Sequence, residues 1–402
     1  MISLKKLLCC THTSRRLRLM LLASIFFLLS PKAVAWDKHQ VLLERLFDTK
    51  ASKKRFYPYQ KISIPCEDQE KKEINRLAQV LHIQGAKVPV FSAGRCKAGE
   101  TSTQIILSDL LLSSAIDEPD MGMDQDLPES EDPSHERRWM GGTTGFTSQG
   151  FRHMYFKGMF KGADILSPIK TLQIPIWAVG QALERIRIMH EASADYFSHG
   201  DKFWGTRVLL WELHSIQDLQ QPFHVLQIPS TSFIPWTKLF SIVRAATSSI
   251  ANYHFAYEGV TLEWLKDKSD SEFLNCLEPP DDDVVFDDPI ELIDYPRSVG
   301  NDLGQQLYKF LGDDPKSASF SPDYYALIHL AVPPPLSEDE SKQISKKDRE
   351  MSDLRIEQWK ALGNIKAITC SIMKRVAGLT WHELDRAYLK ALDDSNSRKT
   401  GK

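Results

Sequence analysis

The chain has 402 residues, with 50 Lys and Arg against 53 Asp and Glu, a formal net charge of −3, and 42% apolar residues. That is apolar content enough for one large core or two modest ones. The balance excludes the strongly basic character of phosphate-tracking nucleic-acid binders.

Residues 1–35 combine a basic stretch (Lys5, Lys6, Arg15, Arg16, Arg18), an apolar run from Leu19 to Leu29 and the small-x-small triplet Ala33-Val34-Ala35. Together these read as a cleaved signal peptide, so export to a periplasm or to the exterior is expected. The apolar run falls short of a comfortable membrane span of about 20 residues, which leaves an uncleaved anchor as the alternative. Cleavage makes Trp36 the first residue. It removes six of the 50 basic side chains and none of the 53 acidic ones, leaving 44 against 53, a net charge near −9. Cys9 and Cys10 leave with the signal; Cys66, Cys96, Cys276 and Cys370 remain. In an exported protein, four cysteines predict one or two disulfides with three possible pairings. Their wide spacing argues against a Cys-ligated zinc site.

Along the mature chain, apolar residues recur at helical spacing over Val41–Phe47, Glu73–Leu81, Thr103–Leu112, Pro175–Tyr196, Lys202–Leu219, Thr237–Tyr257, Leu303–Leu311, Tyr324–Ala331 and Leu354–Ala377. Strand signals are sparse, so a mainly α, multi-helix single domain is expected over 36–393. It divides into a core at 36–275 and extra C-terminal helices at 287–393, a structured appendage from Asp287 being the alternative. Met121–Pro133, Pro279–Asp283 and Pro333 to Arg349 read as surface loops. Residues 394–402, the end of the polar run DDSNSRKTGK, read as a flexible tail.

The segment WELHSIQDLQQPFH carries the chemistry. His214, Asp218 and His224 stand at H-x3-D-x5-H, and in a helix the first two lie one turn apart on one face. Pro222 ends the helix near Gln221, so the chain can swing His224 back toward the same place. A second pair at the same spacing, His254 and Glu258, lies in ANYHFAYEG. His82, His190, His199 and His329 have no evident partner, and His382 in WHELD lacks the second His of a zincin motif.

These features, with Trp36 and His39 at the mature N-terminus, the EPDMGMD loop and FRHMYF, resemble the bacterial zinc-dependent phospholipase C family, whose fold is shared by single-strand-specific nucleases. The resemblance runs in order from Trp36 to Glu258 and rests most on HSIQDLQQPFH and HFAYE. It implies a multi-helix fold with three Zn2+ ions. Asp120, His153, His214 and Asp218 would hold the first, with Asp218 bridging. His224, His254 and Glu258 would hold the second. The third would take the α-amino nitrogen and carbonyl oxygen of Trp36, His39 and the other oxygen of Asp218. The implied reaction is phosphodiester hydrolysis by a metal-activated water, with Asp120 as the catalytic carboxylate that orients or deprotonates it. Asp124 and Asp126 compete with Asp120, and His135 with His153. Residues 87–100 look like an insertion relative to the family.

Glu258, where the nuclease branch has Asp, favours a phospholipid substrate and transient contact with a membrane surface. A nuclease of the same fold and a non-catalytic, zinc-stabilised exported protein are the alternatives. No obligate protein partner is evident. Met121 stands where choline-selective members commonly carry an aromatic residue, which leaves the headgroup open.

Overall fold

A computed structural model of the chain describes residues 39–55, 57–81, 88, 90–120, 152–160, 174–226, 257–258, 260–280, 284–311 and 363–400. Among them the protein is mainly helical, with two small antiparallel sheets of two strands each. The signal segment, Trp36, His254, His82, His135, His329, Asp124, Asp126, the helix expected at 324–331 and all but the last residue of the one expected at 237–257 lie outside the described residues.

The elements are α1 (His39–Phe47), β1 (Lys61–Pro65), α2 (Glu67–Val80), β2 (Ser102–Ile106), α3 (Leu107–Leu111), β3 (Phe156–Phe160), β4 (Ile174–Val179), α4 (Ala182–Ser198), α5 (Lys202–Gln220), α6 (Pro222–Val225), α7 (Ser271–Asn275), α8 (Asp294–Leu311) and α9 (Gly363–Thr400). No helix among the described residues is long and apolar enough to cross a membrane.

Helix α5 is the axis of the fold. Every residue from Phe203 to Gln220 is buried, polar ones included, so other elements cover it on all sides. Asp201 caps it by accepting from the Trp204 N–H at 3.1 Å. It stops where expected: Gln221 is extended (φ −74°, ψ 117°) ahead of Pro222, which opens the single-turn helix α6. Helices α4 and α5 form a close hairpin around Gly200 (φ 81°). The Phe197 ring of α4 lies against α5 so closely that a Cβ at Gly205 would sit 2.9 Å from it.

The C-terminal helix α9 packs on α4, α5 and α8. Two disulfides form, Cys66–Cys96 and Cys276–Cys370, settling the pairing that the sequence left open. Closing the 94-residue loop of the second stabilises the fold by roughly 4 to 5 kcal/mol through the entropy of the unfolded chain.

Several expected boundaries are corrected. The helix expected over Thr103–Leu112 is strand β2 followed by helix α3: Thr103, Ile105 and Ile106 suit a pleated surface, and the segment pairs antiparallel with KISIP of β1, Lys61 opposite Ile106. The helix expected from Pro175 begins only at Ala182, because residues 174–179 pair with β3. Gly180 makes the break at φ 117°, a position where any Cβ would sit 1.9 Å from the Met154 carbonyl oxygen. Helix α2 starts six residues early, at Glu67, where Glu67, Asp68 and Glu70 suit the positive end of the helix dipole. Helix α8 likewise starts at Asp294, and α9 runs to Thr400, through most of the stretch expected as a flexible tail.

Candidate metal centre

Seven of the nine expected metal-site residues are described, and all seven are buried: His39, Asp120, His153, His214, Asp218, His224 and Glu258, none more than 4% exposed. They come from the first residue of α1, the segment after β2–α3, the helical residues 152–153 before β3, helix α5, helix α6 and the helical residues 257–258.

Asp218 is the hub. Its Oδ2 lies 2.6 Å from His153 Nδ1 and 3.3 Å from His214 Nε2. Its Oδ1 faces another way, 3.3 Å from His39 Nε2 and 3.8 Å from His224 Nδ1. Asp120 Oδ1 stands 3.7 Å from both His153 Nδ1 and His214 Nε2. His224 turns its other nitrogen toward Glu258, with Nε2 3.5 Å from Oε1. The rings of His39 and His214 lie with centroids 4.0 Å apart, their planes tilted by 43°.

The local sequence explains this convergence. The i, i+4 spacing in α5 aligns His214 with Asp218, and the Gln221–Pro222 break turns His224 toward them. The Tyr155 N–H donates to the His224 carbonyl at 3.0 Å, fixing the turn that bears His153 against α6. Gln221 donates to Glu258 Oε1 at 3.2 Å.

Asp120 is set by its neighbours. Two residues before it, Glu118 accepts from Arg207 Nε at 2.9 Å and Nη2 at 2.7 Å, and from the Trp211 indole at 2.8 Å. Arg207 also pairs with Glu70. Glu70 in turn accepts from the Phe91 and Ser92 N–H groups at 2.7 Å each. The Phe91–Ser92 loop belongs to the insertion expected at 87–100 and is tied down by the Cys66–Cys96 disulfide.

Proton affinities are pulled apart by this crowding. Burial drives His214 down to about 3, with the positive charge of His39 adding to the effect. Burial also opposes the charged form of His39, but the Asp218 carboxylate 3.3 Å away and the charges of Asp120 and Asp117 outweigh it and push that ring up to about 9. Burial raises Asp120 well above the carboxylate range. For Asp218 the burial penalty is overcome by His214 and His153, which hold it well below that range.

The residues fit a multivalent cation. Ligand-type atoms of His153, His214 and Asp218, and of His39, Asp120 and His214, lie within 4.8 Å of one another. His39 Nε2 and Asp218 Oδ1 are buried and make no hydrogen bond among the described residues, although buried polar atoms are almost always satisfied. A donor set of imidazole nitrogen and carboxylate oxygen alone is what catalytic zinc prefers.

No protein family, curated protein or solved structure matches this chain.

Sequence reading missed some partners. His190, expected to stand alone, has Nδ1 2.8 Å from Glu212 Oε1 and 4.0 Å from Glu383 Oε2. The three could hold a metal by distance, but Arg386 already holds Glu383 through Nε at 2.8 Å and Nη2 at 2.6 Å. The Glu212 hydrogen bond raises the His190 pKa, and Arg386 Nη2 also lies 3.1 Å from His190 Nδ1, so these four side chains already engage one another. His199, also expected to be alone, meets the Asp195 carbonyl at 2.9 Å. Gln217, which no motif flagged, touches His39; only its place on the buried α5, beside Asp218, could have drawn notice.

Proposed function

We propose that the chain is a secreted, zinc-dependent phosphodiesterase of the phospholipase C type, built on the multi-helix fold that this family shares with single-strand-specific nucleases. The observation that carries the reading is Asp218: one fully buried carboxylate whose two oxygens face two different groups of histidines. A structural pairing needs one partner, whereas a carboxylate shared between metal positions needs both faces occupied.

Asp120, His153, His214 and Asp218 would hold one zinc. His224 and Glu258, with His254, would hold a second. His39 and Asp218, with the terminal amine and carbonyl of Trp36, would hold a third. Bound zinc supplies Lewis-acid polarisation of a phosphoryl oxygen and a nucleophilic water at neutral pH. Asp120, also a ligand of the first zinc, would be the carboxylate that takes up or orients the proton of the attacking water, as the resemblance implies. The buried inner face of α5 keeps bulk solvent from the ligands, which strengthens every charge interaction there. Glu258, in place of the nuclease branch's Asp, and the acidic balance of the chain favour phospholipid over nucleic acid.

The test is mature protein beginning at Trp36, with zinc counted by mass spectrometry and hydrolysis followed in parallel on phosphatidylcholine vesicles and single-stranded DNA, each with an Asp218→Ala control. About three zinc ions, with lipid cleavage lost in the control, is the expected result. Cleavage of DNA alone moves the protein to the nuclease branch, zinc without either activity makes the centre structural, and no zinc overturns the ligand assignment.

A further inference from the structure

The resemblance assigns no role to the C-terminal helix or to Gln217, yet the two meet behind His39. Gln217 is fully buried on α5. Its Oε1 lies 2.8 Å from His39 Nδ1, and its Nε2 donates to Thr380 Oγ1 on α9 at 3.2 Å. His39 and Thr380 are themselves fully buried. The contacts span 178 and 163 residues of sequence, so neither is a by-product of local chain geometry.

A neutral imidazole has one N–H and one lone pair, and which nitrogen carries which is set by the hydrogen bond made on the far side of the ring. An amide oxygen only accepts. With Gln217 Oε1 against Nδ1, the proton belongs on Nδ1. Nε2 faces Asp218 Oδ1 at 3.3 Å, and its lone pair would be offered to a cation bound between them. Thr380 Oγ1 accepts from the amide nitrogen, and the amide oxygen faces the ring.

We infer that Gln217 is a positioning residue: it fixes the Nδ1–H tautomer of His39 so that Nε2 is the ligand nitrogen, and through Thr380 it makes α9 part of the support of the metal position shared by His39 and Asp218. The inference rests on the metal-centre reading for its consequence, not for the tautomer itself. Groups behind a metal-binding histidine orient it and raise its basicity, and losing one typically costs 10–100-fold in metal affinity.

The experiment compares full mature chain, wild type, with Gln217→Leu, Gln217→Glu and Thr380→Val, each checked for native circular dichroism. Zinc affinities are measured by competition with a chelator, and the His39 ring is observed by long-range proton–nitrogen NMR in zinc-free protein at a pH where the ring is neutral. Expected are a proton on Nδ1 in the wild type, and one zinc weakened about 10–100-fold in Gln217→Leu with the others unchanged. Gln217→Glu, which keeps an acceptor, should restore that zinc, and Thr380→Val should weaken it less. A proton on Nε2 in the wild type, equal weakening of every zinc, or a folded Gln217→Leu with unchanged affinities overturns the inference. A wild type that takes up no zinc defeats the metal-centre reading instead, while the NMR spectrum still decides the tautomer.

Discussion

Asp218 Oδ1 and His39 Nε2 face each other at 3.3 Å, both side chains wholly buried, and neither atom makes a hydrogen bond among the described residues. They belong to opposite halves of the site, one from the axis of the fold and one from its first helix. The cation proposed to be shared between them would account for both.

Removing metal should therefore loosen the whole core and not only the site. At a thousandfold excess of zinc over its Kd, each bound ion contributes about 4 kcal/mol to folding. Calorimetry with and without chelator should show a large fall in melting temperature that added zinc reverses. An unchanged melting temperature would count against a bound metal.

Zinc uptake near neutral pH should release protons. His39 is pushed up to about 9 in the metal-free site and is protonated at pH 7, so a metal at Nε2 must displace that proton. Titration calorimetry in buffers of different ionisation enthalpy should show the release and an affinity that rises with pH toward about 9.

The same raised pKa acts on stability with a definite sign. The His39 contribution is fully present below the unfolded value of 6.5 and is lost as pH rises through about 9. Zinc-free protein should thus lose stability between those limits. His39→Gln, compared by urea denaturation at pH 6 and pH 9.5, should lie further below the wild type at the lower pH.

Arg207 is the cation that Glu70 and Glu118 share in the interior. Arg207→Leu leaves two buried carboxylates without it and should cost about 3–5 kcal/mol in urea denaturation. Because Glu118 precedes Asp120 by two residues, zinc at the first position should weaken as well. A variant with wild-type stability and zinc affinity would show that the brace does not support the site.

Much of the centre was legible because its densest part is local. His214 and Asp218 needed only helical spacing, and His224 needed only the break that Pro222 enforces. His39, Asp120 and His153 carry no local signal of their own and came through the family resemblance alone. The Gln217–His39 and His190–Glu212 contacts were illegible because their partners stand 178 and 22 residues apart, distances at which pattern gives no pairing. The strands were misread for a different reason: each is five or six residues long, too short to separate a period of two from one of 3.6.

Gly180 bears no functional group, yet it bounds what the centre can become. The Met154 carbonyl occupies the space that any side chain at 180 would need, and Met154 follows His153 directly in the chain. Even the single methyl of alanine would have to displace the segment that holds His153 against Asp218. Position 180 is therefore closed to all nineteen other residues by shape alone, and under the proposed metal centre a harmful change there would present itself as lost metal and not as a damaged loop.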